Sequence, residues 1–287
     1  MVAARGPMRR SRGRGGPICL AGTVAMSVAR LLLAGSLLAA AGPALAADID
    51  ILAAPEITTV EPDTGWYLRA DVAYGFDASF GGTQRLFAGG GAIADRYRDW
   101  RLDEGLGAGA GLGYKASDWL RFDATVDAWK RDVEAVNGAG WFCGFDRTCG
   151  SRDRADIRAV EVMGNAYLDL GTLAGFTPYV GAGLGAVHVS YGDVQGAATC
   201  ADGASCAAAG LSATYAGEDS WRFAYAVSAG VSYDVTETLT IDTGYRYLNA
   251  EAGDAYRYEP AAGTVLVGED DGFERHTIRA GLRFKFW

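Results

Sequence analysis

The chain has few residues of the kinds that build metal sites or helical membrane spans. Only 2 histidines and 7 prolines occur among its 287 residues. Two histidines cannot form a three-histidine zinc site, and the cysteine pairs have no histidine beside them, so no metal and no cofactor are predicted. No apolar run of about 18 residues occurs after residue 46, which excludes a helical span there. A membrane protein of this composition would have to cross the bilayer as a closed β-barrel.

Basic residues are also scarce beyond residue 46. The chain has 26 Lys and Arg against 35 Asp and Glu, and six of the arginines but none of the acids lie in residues 1–46. The remainder has 20 basic and 35 acidic residues, a net charge of −15. Nucleic-acid binding requires a basic footprint, so a nucleic-acid partner is excluded.

Residues 1–46 have the pattern of a secretory signal peptide. Arg30 precedes an apolar segment, and Ala44-Leu45-Ala46 fits the small-x-small cleavage pattern, which predicts a mature start at Ala47. A transmembrane anchor is the alternative, but the apolar segment is short and is broken by Gly and Pro.

Met26 opens a complete leader by itself, so we predict it as the true translation start. The stretch 47–64 is short, contains proline and lacks periodicity. It is therefore predicted to be a periplasmic tail that leads into the first strand of a domain spanning residues 65–287.

Eight segments of that domain alternate apolar and polar residues at period two, as strands do. In the last segment Ile278, Leu282 and Phe284 share one face, and Arg279 and Arg283 share the other. A Lys or Arg facing lipid at the midplane costs roughly 2–4 kcal/mol, and none occurs on any of the eight apolar faces. This pattern favours a transmembrane barrel over a soluble one, whose outer face should be charged. The eight segments are residues 66–76, 105–114, 120–128, 160–170, 177–189, 222–233, 239–247 and 278–287.

The connections between these segments alternate in length. Short periplasmic turns and long extracellular loops are the pattern of outer-membrane barrels. The short connections are 115–118, 171–175 and 234–238, and the long ones are 77–99, 131–157, 190–220 and 249–272. We expect four aromatic side chains of the second and fourth long connections to be exposed for recognition, or to pack against other loops; they are Trp141, Phe142, Tyr256 and Tyr258.

Three stretches together resemble the outer membrane protein beta-barrel domain family, which includes small OmpA-like and opacity-type porins. They are Thr177-Pro-Tyr-Val-Gly-Ala-Gly-Leu-Gly185, Gly244-Tyr-Arg-Tyr-Leu248 and the last strand. The resemblance implies an all-β, eight-stranded antiparallel transmembrane up-and-down β-barrel in the outer membrane of a Gram-negative cell. It also implies that Leu282, Phe284 and Phe286 form the signal read by the barrel assembly machinery, although Trp287 is one residue more than that signal usually has.

The polar faces of the eight segments would line the interior of such a barrel. An eight-stranded barrel is just wide enough for side chains, and buried charges need partners. We therefore predict an interlocked network of ion pairs instead of an open channel. Its predicted members are Arg69, Asp71, Arg121, Asp123, Glu161, Arg222, Asp242, Arg246 and Arg279.

Four cysteines remain once Cys19 leaves with the leader, and four cysteines allow three connectivities. They form two pairs that each bracket five residues in a predicted extracellular loop. Local pairing is favoured because it needs no contact between loops, and the periplasm is oxidising. The predicted disulfides are Cys143–Cys149 and Cys200–Cys206.

These observations predict a non-enzymatic integral outer-membrane protein whose loops carry recognition or adhesion. Its expected partners are outer-membrane lipid and lipopolysaccharide, the assembly machinery and an extracellular ligand. A narrow solute channel is the alternative. A lipid A deacylase is a remote one, because His188-Val-Ser190 resembles part of the deacylase site but no orienting acid is identifiable. Glu269-Asp-Asp271 could attract a divalent cation, although such a run is more often a solvated loop.

Overall fold

The computed structural model describes residues 64–137, 149–200 and 212–286, with all of their side chains except those of residues 77–79, 99, 149 and 200. The predicted signal peptide and nearly all of the predicted tail lie outside the described residues. So do Trp141, Phe142 and Trp287. No helix in the described ranges is long and apolar enough to cross a membrane.

The described residues form one antiparallel sheet of twelve strands. Two of the tight turns between them, at 118–119 and 235–238, follow strands that end in polar residues, Ser117 and Asp234. The strands are β1 (Gly65–Ala88), β2 (Gly91–Leu102), β3 (Gly105–Ser117), β4 (Leu120–Asn137), β5 (Cys149–Asp169), β6 (Phe176–Tyr191), β7 (Val194–Cys200), β8 (Ser212–Gly217), β9 (Asp219–Asp234), β10 (Leu239–Ala250), β11 (Gly253–Ala261) and β12 (Thr264–Lys285).

Eight strands contain the eight segments predicted from the alternation. Their pairings run in the order β1, β3, β4, β5, β6, β9, β10 and β12, and β12 pairs again with β1. The β1–β12 pairing is long, running from Tyr67↔Lys285 to Ala88↔Thr264. We call the part of the sheet made by this series the lower section.

The prediction of four long loops is wrong for their described parts, which are strands. β2, β7, β8 and β11 lie within the predicted loops, and β1, β4, β5 and β12 extend into them. A second series of pairings runs through β1, β2, β4, β5, β7, β8, β11 and β12. We call this part the upper section. The Gly89–Gly90 turn that joins β1 to β2 has φ values of 57° and 81°, which suit a two-residue hairpin.

The two sections bury opposite kinds of side chain. In the lower section, apolar side chains such as Leu106 and Leu184 are 65% and 62% exposed, while Arg121 and Glu161 are 1% exposed. In the upper section the buried face is apolar, and the exposed face carries charges such as Lys130 and Arg154. The reversal explains the error about the loops, because an apolar outer face was the signal that identified strands.

Leu184 tests which face of the lower section meets lipid. Replacing Leu184 by Arg should lower the folded yield in lipid vesicles, since a cation facing lipid near the midplane costs roughly 2–4 kcal/mol. Leu184→Phe changes the size but not the polarity, so it should fold as the unsubstituted chain does. A serine at the neighbouring Gly185 is no suitable control, because its Cβ would collide with the Val162 carbonyl. Equal folded yields for the two Leu184 variants would contradict the assigned face.

Candidate functional site

The buried face of the lower section is crossed by a network of ion pairs, and Arg69 occupies one of its centres. Arg69 lies on β1, and its Nε and Nη2 each donate to the Asp71 carboxylate at 2.8 Å. Its Nη1 donates to Asp123 on β4 at 2.6 Å and to the Tyr167 hydroxyl on β5 at 3.1 Å. β1 does not pair with β4 or β5 at this level, so these contacts span the interior that the sheet curves around.

Arg121 fills the interior beside this centre. Its Nε donates to Asp169 at 2.9 Å, and its guanidinium lies 4.5 Å and 4.6 Å from the ring centroids of Tyr167 and Tyr179. A guanidinium held between two aromatic rings gains a cation–π attraction in addition to its ion pair. The side chain therefore occupies space that a solute would need.

Glu161 is the acidic centre of the network. It accepts hydrogen bonds from Trp129 Nε1 at 2.7 Å and from Arg275 Nη1 at 2.8 Å, and Arg246 lies 3.3 Å from it. The neighbouring carboxylate of Asp127 pairs with Arg246 and Arg279. Two carboxylates therefore share three arginines.

At the other end of the lower section, Asp242 accepts from Arg283 and from the Ser232 hydroxyl. The Arg283 guanidinium also lies 5.5 Å from the Tyr67 ring centroid. Below this group a cavity of about 490 Å³ opens at the mouth of the interior; Lys115, Asp234 and Lys285 line it together with Arg283.

The structure brings together eight of the nine residues predicted for the network. Arg222 lies elsewhere: it pairs with Asp270 in the upper section, where Tyr191 also donates to that carboxylate at 2.7 Å. Asp127, Asp169, Arg275, Arg283 and Asp270 form ion pairs here but were not among the nine predicted members. The alternation of the last strand, continued upwards from Arg279 through Thr277 to Arg275, is the signal that would have found Arg275.

Little space remains between these side chains. One cavity of about 10 Å³ lies among Asp127, Glu161, Arg246 and Arg275, and another of about 10 Å³ lies between Arg69 and Asp242. A volume near 10–15 Å³ holds about one water molecule. The interior is therefore filled at this level.

The upper section has a mainly apolar interior in which aliphatic side chains surround a cluster of aromatic rings. The Trp129 and Phe273 rings lie 5.8 Å apart, and Phe80 lies 5.9 Å from Phe273 and 4.9 Å from Trp100. Such edge-to-face and tilted pairs contribute beyond their buried area. A second filled layer thus lies above the ion pairs.

The expectation that Tyr256 is exposed is wrong. It is 2% exposed and stacks on Tyr215 at 5.0 Å, and the half-buried Tyr258 lies 5.2 Å from the same ring. The physical reason is that this part of the predicted loop forms strand β11, and the alternation of side chains along β11 points Tyr256 inwards. Tyr256 and Tyr258 instead agree with the alternative prediction, that these residues pack against other predicted loops.

A chain of hydrogen bonds lies above this core. Asn137 donates to Gln84 at 3.0 Å, and Gln84 donates to the Tyr256 hydroxyl at 2.7 Å. The Tyr256 and Tyr97 hydroxyls are bonded to each other, and Tyr97 donates to Asp153 at 2.7 Å. Burial raises the pKa of Asp153 to about 6, although the hydrogen bond from Tyr97 opposes that change.

The remaining sequence candidates have structural contacts of their own. The His188 ring lies 4.9 Å from Trp221, on the outer face. Glu269, Asp270 and Asp271 pair with Arg85, Arg222 and Arg96, and no cluster of three metal-binding side chains occurs in the part of the chain that is described.

The predicted assembly signal lies on the outer face of β12 and just beyond its end. Leu282 and Phe284 are each 52% exposed, and Phe286 is half-buried. The Phe286 amide donates to the Trp66 carbonyl at 3.0 Å.

The cysteine pairing stays a prediction. Cys143 and Cys206 lie outside the described residues. The backbones of Cys149 and Cys200 are opposite each other in the pairing of β5 with β7. Among the three connectivities, this register makes a Cys149–Cys200 bridge an alternative to the two local pairs.

Comparisons with known proteins point to one family. Residues 31–286 match the model described as outer membrane protein beta-barrel domain. An uncharacterized protein of Brucella suis is 34% identical over 247 residues, which are 77% of this chain and 85% of the relative. The outer membrane protein PagN of Salmonella typhimurium is 24% identical over 148 residues, 50% of this chain and 57% of the relative. The crystal structure of the outer membrane protein OprG from Pseudomonas aeruginosa aligns with a TM-score of 0.47 and 16% identity, over 78% of this chain and 98% of that one.

Replacing Glu161 by Gln should lower the free energy of unfolding in detergent micelles by roughly 3–5 kcal/mol, since Arg275 would lose its buried ion-pair partner and Arg246 would keep only Asp127. The control is Glu134→Gln, which removes an exposed partner of Arg152 and Arg154 and should cost about 0–1 kcal/mol. Urea unfolding followed by tryptophan fluorescence measures both. Equal losses would show that the buried network contributes no more than a surface pair.

Asp153 should make the upper section less stable as the pH rises. Its folded pKa of about 6 lies above the ordinary value of 3.8, so the folded chain holds the proton more tightly than the unfolded chain. The contribution of Asp153 to stability should be greatest below pH 4 and should fall until about pH 6. Asp153→Asn should match the unsubstituted chain at low pH and exceed it at pH 8 by roughly 2–3 kcal/mol. Asp156→Asn, on the exposed face of the same strand, is the control. A difference between Asp153→Asn and the unsubstituted chain that does not change with pH would refute the assignment.

Proposed function

Because the chain belongs to the outer membrane protein beta-barrel domain family and is a protein of the outer membrane, we propose that it is a closed, non-enzymatic anchor for an extracellular recognition surface. The eight strands of the lower section form a transmembrane barrel. The upper section projects from the cell. Residues 1–46 are removed on export, and the following tail stays in the periplasm.

The length of the apolar outer face supports the placement in lipid. On β4 this face runs from Leu120 to Ala128, and the first outward charge is Lys130. Nine residues at roughly 3.4 Å each, tilted by 35–45°, rise by about 22–25 Å. The apolar band of outer-membrane barrels is about 25 Å tall, so the two lengths agree.

The single observation that carries the proposal is that side chains fill the interior of both the lower and the upper section. Charged side chains occupy the lower section, around Arg69, Arg121 and Glu161, and aromatic side chains occupy the upper section, around Trp129 and Phe273. A solute would have to break buried ion pairs and then separate a packed apolar core. An anchor needs neither step.

Recognition is proposed for the outward face and the tips of the upper section. The exposed face of β2 carries Arg96 and Arg98, and that of β5 carries Arg152 and Arg154. These side chains are available to an extracellular ligand, whereas Tyr256 is buried in the core. The proposal includes no catalytic role for His188 and Ser190, and the contact of His188 with Trp221 supports an interfacial role instead.

Other partners follow from the same placement. The exposed Leu282 and Phe284 with the half-buried Phe286 are proposed as the signal read by the barrel assembly machinery. Outer-membrane lipid and lipopolysaccharide are proposed to cover the apolar face.

A narrow solute channel is the second candidate, because a charged cavity of about 490 Å³ opens at the mouth of the interior. Conduction would require the side chains above this mouth, beginning with Arg121 and Tyr179, to move aside.

Single-channel recording separates the two candidates. The mature chain, refolded and inserted into planar bilayers, should give no steady conductance steps, because no continuous water path crosses the two filled layers. A general porin in the same bilayers is the positive control, and a heat-dependent shift in gel mobility verifies that the chain is folded. Steady steps from the folded chain would overturn the closed anchor and favour the channel.

A further inference from the structure

The hairpin formed by β7 and β8 is joined to the rest of the upper section by short pairings. β7 is 7 residues long and β8 is 6 residues long. β7 pairs with β5 as far as Arg154↔Gln195, and β8 pairs with β11 through Ala216 and Gly217. Segments held by few backbone hydrogen bonds are those that open locally in a folded protein. A covalent link at this hairpin would therefore restrain the upper section.

This hairpin covers part of the apolar interior. Tyr215 on β8 is 0% exposed and stacks on Tyr256, and Val194 on β7 is 4% exposed. If the hairpin separated from β5 and β11, these side chains would meet water. The separation would also disturb the outward face of the upper section, for which recognition is proposed.

Two cysteines lie opposite each other where the hairpin joins β5. Cys149 on β5 is the direct partner of Cys200 on β7. Directly opposite residues of antiparallel strands have Cα atoms about 4.5–5.5 Å apart, and a disulfide requires a Cα separation of about 4.4–6.8 Å. The register of the two strands therefore brings these backbones within bridging distance. Each local pair, by contrast, would depend on how the connection 138–148 or 201–211 folds.

We propose that Cys149 and Cys200 form a disulfide that fastens the β7–β8 hairpin to β5. This pairing replaces the local pairing predicted from the sequence. Once Cys19 has left with the leader, it leaves Cys143 and Cys206, which lie outside the described residues, as partners for each other. The inference deepens the proposed function, because a fastened hairpin holds part of the recognition surface in one arrangement before a ligand binds. Such preorganisation lowers the entropy cost of binding.

Formation of the bridge is an oxidation that the compartment supplies. The Sγ atoms of Cys149 and Cys200 become bonded to each other, and the two thiols give up two protons and two electrons. The oxidant is a protein disulfide of the periplasm, which exchanges with one cysteine through a mixed disulfide. It gains the two protons and two electrons and leaves as two thiols.

Peptide mapping under non-reducing conditions tests the pairing. The chain is extracted from outer membranes, and free thiols are blocked with iodoacetamide before digestion. Trypsin cleaves after Arg147, which separates the first two cysteines of the mature chain, and an aspartate-specific protease cleaves before Asp202, which separates the last two. Each cysteine then lies on its own peptide. Mass spectrometry should find the Cys149 peptide joined to the Cys200 peptide.

Hydrogen exchange of the folded chain in detergent micelles tests the fastening. Replacing all four cysteines by Ser should make the amides of β7 and β8 exchange roughly tenfold faster or more, because the hairpin loses its covalent link to β5. The matched control is Cys143→Ser combined with Cys206→Ser, which keeps the proposed bridge and should change this exchange by less than about twofold. The amides of β10, which pairs with β9 and β12, should exchange alike in all three chains.

Three outcomes would overturn the proposal. They are a link from Cys149 to either of the other two cysteines, blocked free thiols at Cys149 and Cys200, and equal exchange of β7 and β8 in the control and the four-serine variant. A heat-dependent shift in gel mobility verifies that each variant is folded. The closed anchor would stand in each case, since that proposal fails through conductance.

Discussion

The pairing of buried arginines with buried carboxylates is the interaction on which the rest of the structure depends. Lipid admits only apolar side chains on one face of each strand, so the charges of the alternating sequence must point the other way. An unpaired charge in that interior is costly, and its partner often belongs to a strand that is not its neighbour. Arg69 on β1 pairs with Asp123 on β4, and Arg279 on β12 pairs with Asp127, which is also on β4. The curvature of the sheet and the neutralisation of its charges therefore require each other.

The same strands reverse their polarity where they leave the proposed membrane. β4 carries Phe122 and Val126 outwards in its lower part and Lys130 and Glu134 outwards in its upper part, without any change in its alternation. Its inward residues change in the opposite sense, from Asp123 to Val133. In the lower section apolar side chains therefore face outwards and charged ones face inwards. In the upper section charged side chains face outwards and mainly apolar ones face inwards. Lys130 on β4 and Arg158 on β5, which lie opposite each other, are the first outward charges above the apolar face of these two strands.

The sequence predicted the lower section well because lipid imposes a one-sided rule on it. Every outward position, such as Leu112 or Leu184, must be apolar, so a charge-free face at period two identifies both the strand and its orientation. The sequence predicted the ion-pair partners in the interior less completely. Arg222 faces inward as the alternation requires, but its partner Asp270 comes from a segment without an apolar outer face.

The upper section could not be predicted in the same way. A strand with charges outside and mixed residues inside resembles a polar loop, and the buried role of Tyr256 depends on Tyr215 and Gln84 from other segments. Local signals were present, notably Gly89-Gly90 between two alternating stretches, but they indicate a hairpin without indicating what it packs against. The neighbours of β2, which are β1 and β4, are a property of the whole sheet.

The folding of expected loops into strands also limits how the exposed part of this chain can diverge. On β2, Arg96 and Arg98 face outwards while Tyr97 is 9% exposed and belongs to the interior. A molecule that approaches this strand from outside contacts Arg96 and Arg98 and not Tyr97. The chain can therefore change the outward face of β2 at alternate positions without disturbing the packing behind it. Divergence along β2 would then leave substitutions at every second residue, unlike the block-wise turnover of an irregular loop.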